Sequence, residues 1–360
     1  MCCLADYGLI SIADYWSTKY QWLPSEFYVD AKGHVDIRSY INNLHPNEMK
    51  GEVYPLIAAI FERFVPLFER VLFDLMNPKD RYMQLDCDWY PPMPDYLDEE
   101  GGETEEKKTT TTTEANQPVR EYSSADDWYN RRVPLQPKAP TFSIPNRPQQ
   151  RVDINLKGRH LQVIVKLSQM ELTPEKPRYD GGVWHVEGCL NERIVASGIY
   201  YFHSENITES RLSFRTTVHE PMYEQGDHRG VELIYGLKDG CPLVQHLGSV
   251  ITQPGRLLAF PNLFQHFVEP FELADPTRNG IRQILVFFLV DPFERIVSSA
   301  EVPPQQASFY TEEQQHLLAT ALMSREMAIY HRQQLMTHRK FKIDQGTKLL
   351  FEREFSLCEH

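Results

Sequence analysis

Two histidines and a glutamate are spaced as a candidate metal site. His185 and Glu187 form a His-x-Glu tripeptide, and His266 follows much later in the chain, in a separate apolar stretch. Residues two apart on a strand point to the same side, so His185 and Glu187 can face one ion. Two histidines and one carboxylate are the ligand set of non-haem iron centres that activate oxygen, and the same set also satisfies zinc. The sequence therefore predicts one divalent metal held by these three residues.

Arg282 is a candidate anion-binding residue. It begins the apolar run 281–290, where a charged residue is almost never buried without a partner. A guanidinium group binds a carboxylate through two parallel hydrogen bonds. We expect Arg282 to hold the carboxylate of a substrate or cosubstrate close to the metal. The alternative is a structural ion pair with an internal acidic residue.

The tripeptide pattern carries no signal by itself. It occurs at 34–36, 185–187 and 203–205, about as often as chance predicts for 13 histidines and 50 acidic residues. The first copy precedes a long helical segment and is most simply a surface turn. Three predicted strands separate the third copy from His266, whereas four separate the second. Four strands bring the second and seventh strands of a jelly roll side by side, which favours the copy at 185–187.

The region from 151 to 292 has the alternating pattern of strands. Gly, Pro, Asn and Asp turns separate the apolar runs, and no helical pattern interrupts them. The candidate strands are Leu161–Leu172, Ile194–Phe202, Leu212–Val218, Val244–Thr252, Arg256–Phe260, His266–Phe271 and Ile281–Val290. Many short strands in succession favour a sandwich or barrel, of which the double-sheet jelly roll of the cupin type is one form.

Helical patterns flank this region. Apolar residues recur at three- and four-residue spacings over 47–76, where Pro66 is expected to kink or divide the helix. A second helix is predicted over 311–335, with Thr311 as its N-cap. We therefore predict an α+β fold: a double-stranded β-helix (jelly roll, cupin-like) with N-terminal and C-terminal helices packed on it.

Four regions follow from these patterns. Residues 1–85 form a helical region that packs on the barrel, 151–300 the catalytic core, and 301–360 a helical extension. The linker 86–150 is acidic and rich in Thr and Pro. Its composition predicts disorder over about 97–120 and extended surface chain over 121–150, anchored by Trp128 and Tyr129. A lid over the active site is the alternative to a linker without function.

Composition excludes several classes of protein. The net charge of −13 argues against nucleic acid as a partner, because phosphate binding needs a basic surface. No apolar run is long enough to span a membrane, and the first residues lack the pattern of a secretory signal. Six cysteines without CxxC spacing are typical of reduced thiols. We expect a cytoplasmic protein without a membrane partner; its oligomeric state is not predicted.

Several segments resemble a family within the Fe(II)/2-oxoglutarate-dependent oxygenase superfamily, a fungal family of unassigned function. Its first signature resembles GGVWHVEGCLNE at 181–192, and its second resembles GRLLAFPNLFQH at 255–266. Further similarity lies at 40–46, 302–306 and 355–360. The resemblance covers nearly the whole chain, although a glutamate stands where the superfamily more often has aspartate.

The resemblance implies that His185, Glu187 and His266 hold Fe(II) and that Arg282 binds 2-oxoglutarate. Such enzymes use O2 to oxidise a C–H bond, giving hydroxylation, desaturation or ring closure, and by analogy the substrate is an amino acid or a metabolite of fungal secondary metabolism. Protein hydroxylation, zinc hydrolysis and a non-catalytic metal-binding cupin-like protein are the alternatives. Three further residues are candidates for the substrate pocket or for simple packing: Trp184, Tyr200 and Arg215.

Overall fold

A computed structural model of the protein describes residues 16–77, 89–97, 121–136, 152–346 and 351–357. It has a mixed α/β architecture in which all paired strands are antiparallel. The chain divides into two compact units. The first comprises Met1–Arg81, Arg147–Val218 and Val244–Arg353, and the second Tyr82–Asn146, His219–Leu243 and Glu354–His360.

The strands follow the predicted alternation closely. They are β1 (Ser25–Val29), β2 (Val35–Ile37), β3 (Arg159–Leu172), β4 (Arg178–Tyr179), β5 (Ile194–Glu205), β6 (Arg211–Thr217), β7 (Val244–Ile251), β8 (Leu257–Pro261), β9 (Gln265–Val268), β10 (Phe271–Glu272) and β11 (Gly280–Val290). Each of the seven predicted strands is present within a few residues of its expected limits, the sixth as β9 and β10. The strands β1 and β2 were not predicted, because the N-terminal region was expected to be helical.

The strands of the first unit form two principal sheets. The large sheet has the order β2-β1-β3-β11-β5-β8, and the small sheet has the order β7-β6-β9. The backbone around His185 adds to the small sheet, because His185 bridges His266 on β9. A third, two-stranded sheet joins β4 to β10.

Strand β11 separates two apolar clusters because its side chains alternate between the faces of the large sheet. Its odd-numbered positions from Leu285 to Leu289 enter the outer cluster, and its even-numbered positions from Val286 to Val290 enter the inner cluster. The buried inner cluster consists of Ile164, Ile194, Ile199, Tyr201, Leu212, Phe260, Val286, Phe288 and Val290. Since it also includes Leu212 of the small sheet, the inner cluster fills the space between the two sheets.

The outer cluster lies between the large sheet and helix α1 (Val53–Met76). Phe61, Phe64 and Phe68 of α1 are fully buried there, which stabilises the fold by roughly 2–3 kcal/mol for each side chain. The helix begins after a short 3₁₀ turn, later than the predicted start at residue 47. It continues through Pro66. Of the two predicted effects of this proline, a kink or a division of the helix, division is therefore wrong.

The predicted helix over 311–335 consists of two helices. These are α4 (Glu312–Leu317) and α5 (Arg325–Gly346). Thr311 caps α4 as predicted, with its hydroxyl accepting from the backbone N–H of Gln314. The hydroxyl of Ser324 accepts from the N–H of Met327 at 3.2 Å. This bond caps the start of α5, so a new helix begins at Arg325 and α4 does not continue into it.

The second unit contains helices α2 (Ala125–Arg131) and α3 (His228–Tyr235). Helix α2 corrects the expectation of extended chain over 121–150: Ser124 accepts from the N–H of Asp127 and caps it. The aromatic anchors predicted there, Trp128 and Tyr129, both stack on Arg132.

Helix α3 was also not predicted, since the strand region was expected to lack helices. Its N-cap Asp227 is buried and accepts hydrogen bonds from Trp89, Tyr90 and the N–H of Gly230. The segment 98–120, where disorder or a lid was expected, lies outside the described residues. Among the residues that are described, no helix combines the length and apolar character needed to cross a bilayer.

Candidate metal centre

Three side chains from the small sheet converge on one point. Oε1 of Glu187 lies 3.7 Å from Nε2 of His185 and 3.4 Å from Nε2 of His266. One potential ligand atom from each of the three residues lies within 4.8 Å of the other two. Metal–ligand bonds of ~2.1 Å place neighbouring ligand atoms ~3.0–3.4 Å apart. The two distances to Glu187 lie within a few tenths of an ångström of this range, so a single divalent ion can be shared by the group once the side chains close on it.

The hydrogen bonds of the two imidazole rings select the tautomer that a metal needs. Nδ1 of His185 lies 2.7 Å from the carbonyl oxygen of Val183, and Nδ1 of His266 lies 3.4 Å from that of Phe264. A carbonyl oxygen only accepts, so each Nδ1 donates and carries the proton. The lone pair of each ring is then on Nε2, the nitrogen that faces Glu187. Such bonds orient ligand histidines in metalloproteins.

Backbone pairing sets the distance between the histidines. The N–H of each residue donates to the carbonyl of the other, at 3.2 and 3.0 Å, and the ring centroids are 4.5 Å apart. Gly181 lets the chain approach β9: its φ is +101°, and a Cβ there would lie 3.3 Å from the ring of Pro270. After the tripeptide, Gly188 has a φ of +75° and leaves room for the carboxylate of Glu192. The backbone on each side of the His185–Glu187 tripeptide therefore requires a glycine, which explains Gly181 and Gly188 in the motif at 181–192.

The electrostatics of the three groups suit a cation. Burial opposes ionisation of Glu187, but the imidazole rings of His185 and His266, whose Nε2 atoms face its Oε1, outweigh burial and hold its pKa well below the usual range. Burial lowers the pKa of His266, so its ring is neutral. Burial also acts to lower the pKa of His185, yet the bond to Glu187 raises it overall. An ionised carboxylate and a neutral imidazole are the forms that bind metal.

Exposure indicates the side from which small molecules reach the group. The side chain of His185 is 26% exposed, whereas those of Glu187 and His266 are 12% and 5% exposed. Phe260 and Phe214 cover His266 with ring centroids at 5.0 and 6.3 Å. The open coordination positions of an ion would therefore face the His185 side.

Arg282 is buried without a carboxylate partner. It is 5% exposed, and within the described part of the chain no acidic side chain forms an ion pair with it. Its Nε has no hydrogen-bond partner among these residues. Its guanidinium carbon lies 5.1 Å from the ring centroid of Tyr201 and 5.9 Å from that of Phe271. The internal ion pair considered from the sequence is therefore absent from the described residues.

Arg282 and the three candidate ligands share the space between the sheets. On β11, Arg282 has the same parity as Ile284 and Val286, which face the inner cluster. On β9, Val268 has the same parity as His266. It contacts the inner cluster and also a separate small cluster that contains Phe271, the ring beside Arg282.

A bulge lies beside Arg282. The register between β5 and β11 shifts at Gln283/Ile284, where the extra residue on β5 is Phe202. Bulges of this kind re-aim neighbouring side chains near functional sites. Burial raises the pKa of Tyr201 to about 12, so this residue remains a neutral phenol next to the guanidinium.

Trp184 and Arg215, proposed for a substrate pocket, lie on the other face of the small sheet. Trp184 packs on Phe267 with ring centroids 4.5 Å apart, and the guanidinium of Arg215 stacks on Trp184 at 4.5 Å. Arg215 forms an ion pair with Glu352 and donates to Oε1 of Gln265 at 2.7 Å. The immediate neighbours of His185 and His266 point away from the metal group because strand side chains alternate.

Tyr200 is also separated from the metal group. It packs against the outer cluster, whereas Ile199 and Tyr201 on either side of it belong to the inner cluster. The structure thus places none of the three proposed pocket residues between the sheets. Tyr201 takes the position expected for Tyr200, since the sequence shows alternation but not which face is internal.

Two residues near the site were not anticipated. The side-chain amide of Asn262 bonds both backbone polar groups of Glu187. Lys166 lies on β3 with the same parity as Ile164 of the inner cluster, and its positive charge acts against protonation of His185. Asn262 falls inside the motif at 255–266, but no sequence signal pairs it with residue 187.

The other His-x-acid tripeptides form no comparable group. Among the described residues the only cluster of three potential metal-ligating side chains is His185, Glu187 and His266. His203 and Glu205 are largely exposed, and Glu205 contacts Arg278 as well as His203.

A family profile described as "Protein of unknown function (DUF4246)" matches residues 3–313. The chain belongs to this family. The family's description assigns no reaction, and no curated protein matches the chain.

Similarity to solved structures is weak. An Fe(II)/α-ketoglutarate-dependent dioxygenase, TqaL, is 16% identical at a TM-score of 0.26, over 43% of this chain and 51% of its own. Hydroquinone 1,2-dioxygenase PnpCD, in complex with Cd²⁺ and 4-hydroxybenzonitrile, is 16% identical at a TM-score of 0.18, over 39% of this chain and 64% of its own. The chain thus spans about half to two thirds of these proteins, and likenesses of this size carry no argument about its function.

Proposed function

We propose that this member of the DUF4246 family is a non-haem Fe(II)- and 2-oxoglutarate-dependent oxygenase. Its reaction would oxidise a C–H bond of a small molecule, such as an amino acid or a fungal metabolite. The observation that carries the proposal is the convergence of His185, Glu187 and His266, with both Nε2 atoms directed at one carboxylate oxygen.

The order of the strands supports a double-stranded β-helix as the core, within 151–300. Along the chain, β3, β5, β8 and β11 belong to the large sheet. The segment around His185 and strands β6, β7 and β9 belong to the small one. Two facing antiparallel sheets whose strands exchange in this way are expected of a jelly roll. The candidate ligands lie on the second and seventh of these eight segments.

Arg282 supports 2-oxoglutarate as the cosubstrate. Burying a cation without a counter-ion costs several kcal/mol, so its retention in the described core calls for a ligand. A dicarboxylate that chelates the metal through its 2-oxo acid end leaves its second carboxylate for a guanidinium. The unpartnered Nε and the shared inner face suit that arrangement.

The chemistry that a bound Fe(II)–2-oxoglutarate centre supplies is oxidation of a C–H bond by O2, with conversion of 2-oxoglutarate to succinate and CO2. The protein would contribute geometry and a dry environment. His185, Glu187 and His266 present three ligand atoms on one side, Arg282 orients the cosubstrate, and Phe214 and Phe260 exclude water behind His266.

The test is oxygen-dependent formation of succinate from 2-oxoglutarate by the Fe(II)-loaded protein, with and without a panel of small metabolites. We expect slow uncoupled turnover in wild type, stimulation by the true substrate class, and no turnover in His266→Ala. The matched control is His203→Ala, which removes an exposed histidine from another His-x-acid tripeptide and should retain turnover.

Three outcomes would contradict the proposal. Hydrolytic activity with Zn²⁺ that needs neither O2 nor 2-oxoglutarate would indicate a zinc hydrolase. Metal binding without succinate formation under any condition would indicate a non-catalytic protein. Stimulation by peptides but not by small metabolites would replace the small-molecule substrate with a protein substrate.

A further inference from the structure

The side chain of Asn262 forms a clamp on the backbone of Glu187. Its Oδ1 accepts from the N–H of Glu187 at 2.8 Å, and its Nδ2 donates to the carbonyl of Glu187 at 2.9 Å. An amide that accepts from and donates to one residue reproduces the pairing of an antiparallel neighbour. The clamp thus extends the small sheet beyond its last backbone pair, between His185 and His266.

Asn262 is itself fixed on two sides. Its Nδ2 also donates to the carbonyl of Ile194 at 3.1 Å, and its backbone N–H donates to the carbonyl of Val195 at 3.0 Å. These bonds tie it to the start of β5. It follows β8 directly and precedes β9, the strand that carries His266.

This position links the two halves of the candidate metal centre. His185 and His266 are held by their mutual backbone bonds, but Glu187 lies two residues beyond that pair, and Gly188 follows with a left-handed φ of +75°. The clamp supplies a fixed partner for the backbone of Glu187 where the sheet pairing ends.

We propose that Asn262 is a positioning residue for the metal centre: by bonding both backbone groups of Glu187, it fixes the carboxylate against the two histidines before an ion binds. The inference rests on the proposed metal site and deepens it. Residues that orient metal ligands typically contribute 10–100-fold to metal affinity.

The decisive variant is Asn262→Asp, which keeps the size and the acceptor for the N–H of Glu187. It replaces the donating Nδ2 with an oxygen that faces the carbonyls of Glu187 and Ile194. Asn262→Ala removes the whole clamp. We expect each variant to bind Co²⁺ roughly 10–100-fold more weakly than wild type.

Asn206 offers a matched control. Its side chain accepts from the N–H of Asp275 and donates to the carbonyls of Asp275, Arg278 and Asn279, so it forms a comparable clamp in another turn. Asn206→Asp makes the same chemical change without contacting a candidate ligand. It should lower the melting temperature by an amount similar to Asn262→Asp while leaving Co²⁺ affinity within about twofold of wild type.

The measurements are Co²⁺ titration calorimetry, the visible Co²⁺ spectrum, which reports ligand geometry, and thermal unfolding of each metal-free protein. Weaker binding with an altered spectrum in Asn262→Asp, but not in Asn206→Asp, supports the inference. Equal Co²⁺ affinity in wild type and Asn262→Asp overturns it, as does equal weakening by both aspartate variants. If wild type binds no Co²⁺, the metal site itself fails, and the inference falls with it.

Discussion

His185 and His266 are joined by two backbone hydrogen bonds, and their rings lie on the same side of the small sheet with centroids 4.5 Å apart. The main chain therefore places these rings, rather than a bound ion. A ligand pair set by strand pairing loses little conformational entropy on binding, because the rings are already ordered. This relationship underlies the predictions on metal binding.

Replacing Glu187 with glutamine should abolish tight metal binding. The amide keeps the size of the side chain but loses the charge that both Nε2 atoms face. We expect Co²⁺ affinity to fall by more than about 100-fold, beyond the usual effect of an orienting residue. Titration calorimetry measures it, and Glu205→Gln, in the exposed tripeptide at 203–205, is the control. Retained affinity in Glu187→Gln would remove Glu187 from the ligand set.

Metal affinity should fall as the pH is lowered through the pKa of His185, which lies above the usual histidine value of about 6.5. Hydrogen bonding to Glu187 raises the pKa of His185, so its ring takes up a proton in that region and loses the lone pair on Nε2. The pKa values of Glu187 and His266 are lowered, so these groups lose their protons at lower pH. We therefore expect at most one proton, from His185, to be released per ion bound at neutral pH. Calorimetry in buffers of different ionisation enthalpy counts it; release of two protons would contradict the prediction.

Substituting Arg282 by methionine should separate stability from cosubstrate binding. Removing a buried cation without a carboxylate partner should raise the free energy of unfolding of the ligand-free protein by ~1–3 kcal/mol. The same change should weaken 2-oxoglutarate binding by roughly 100-fold, since truncating one partner of a buried charge pair costs ~2–5 kcal/mol. Denaturant unfolding and titration calorimetry with 2-oxoglutarate in the presence of Fe(II) give the two readouts.

Arg282→Lys is the companion variant. It keeps the charge but not the planar fork, so we expect intermediate cosubstrate affinity. A destabilised Arg282→Met protein with unchanged 2-oxoglutarate affinity would show that the guanidinium serves the fold instead.

The ion pair between Glu192 and Arg339 should stabilise the attachment of helix α5. Glu192 is fully buried and also accepts from the backbone N–H of Trp22 at 2.6 Å and of Cys189 at 2.8 Å. The guanidinium of Arg339 donates to Oε2 at 3.1 Å and stacks on Trp22 at 3.7 Å. Arg339→Met leaves the carboxylate uncompensated and should cost about 3–5 kcal/mol.

Urea unfolding of Arg339→Met, Glu192→Gln and the double variant tests this. We expect the double variant to be more stable than the sum of the single losses predicts, because the groups interact directly. Strict additivity would indicate that the pair contributes no coupling energy.

The elements that carry the candidate site could be predicted from alternation alone. The seven strands predicted between 161 and 290 have apolar runs bounded by turn residues, and the count of four between the two histidine segments matches β5, β6, β7 and β8. Arg282 stood out because a charge in an apolar run is rare. These signals depend only on residues close together in the chain, so they are present in a single sequence.

The remaining features depend on contacts between distant segments. Alternation cannot show which face of β5 is internal, so Tyr200 was chosen over Tyr201. Asn262 matters only through a turn that brings it to Glu187, 75 residues away in sequence. The helices that begin after Ser124 and Ser324 start at side-chain caps. A serine next to polar residues is equally typical of loops, so these helix starts could not be predicted from the sequence.

The pairing of β9 with the segment around His185 also bears on the order of folding. The clamp joins residues 75 positions apart, and the intervening chain forms strands of both sheets. Loop closure over such a distance has an entropic cost that is recovered only after the intervening strands have docked. Competence to capture a metal ion should therefore appear in the slowest refolding phase, together with closure of the two sheets and later than the collapse of α1 onto the phenylalanine-rich outer cluster.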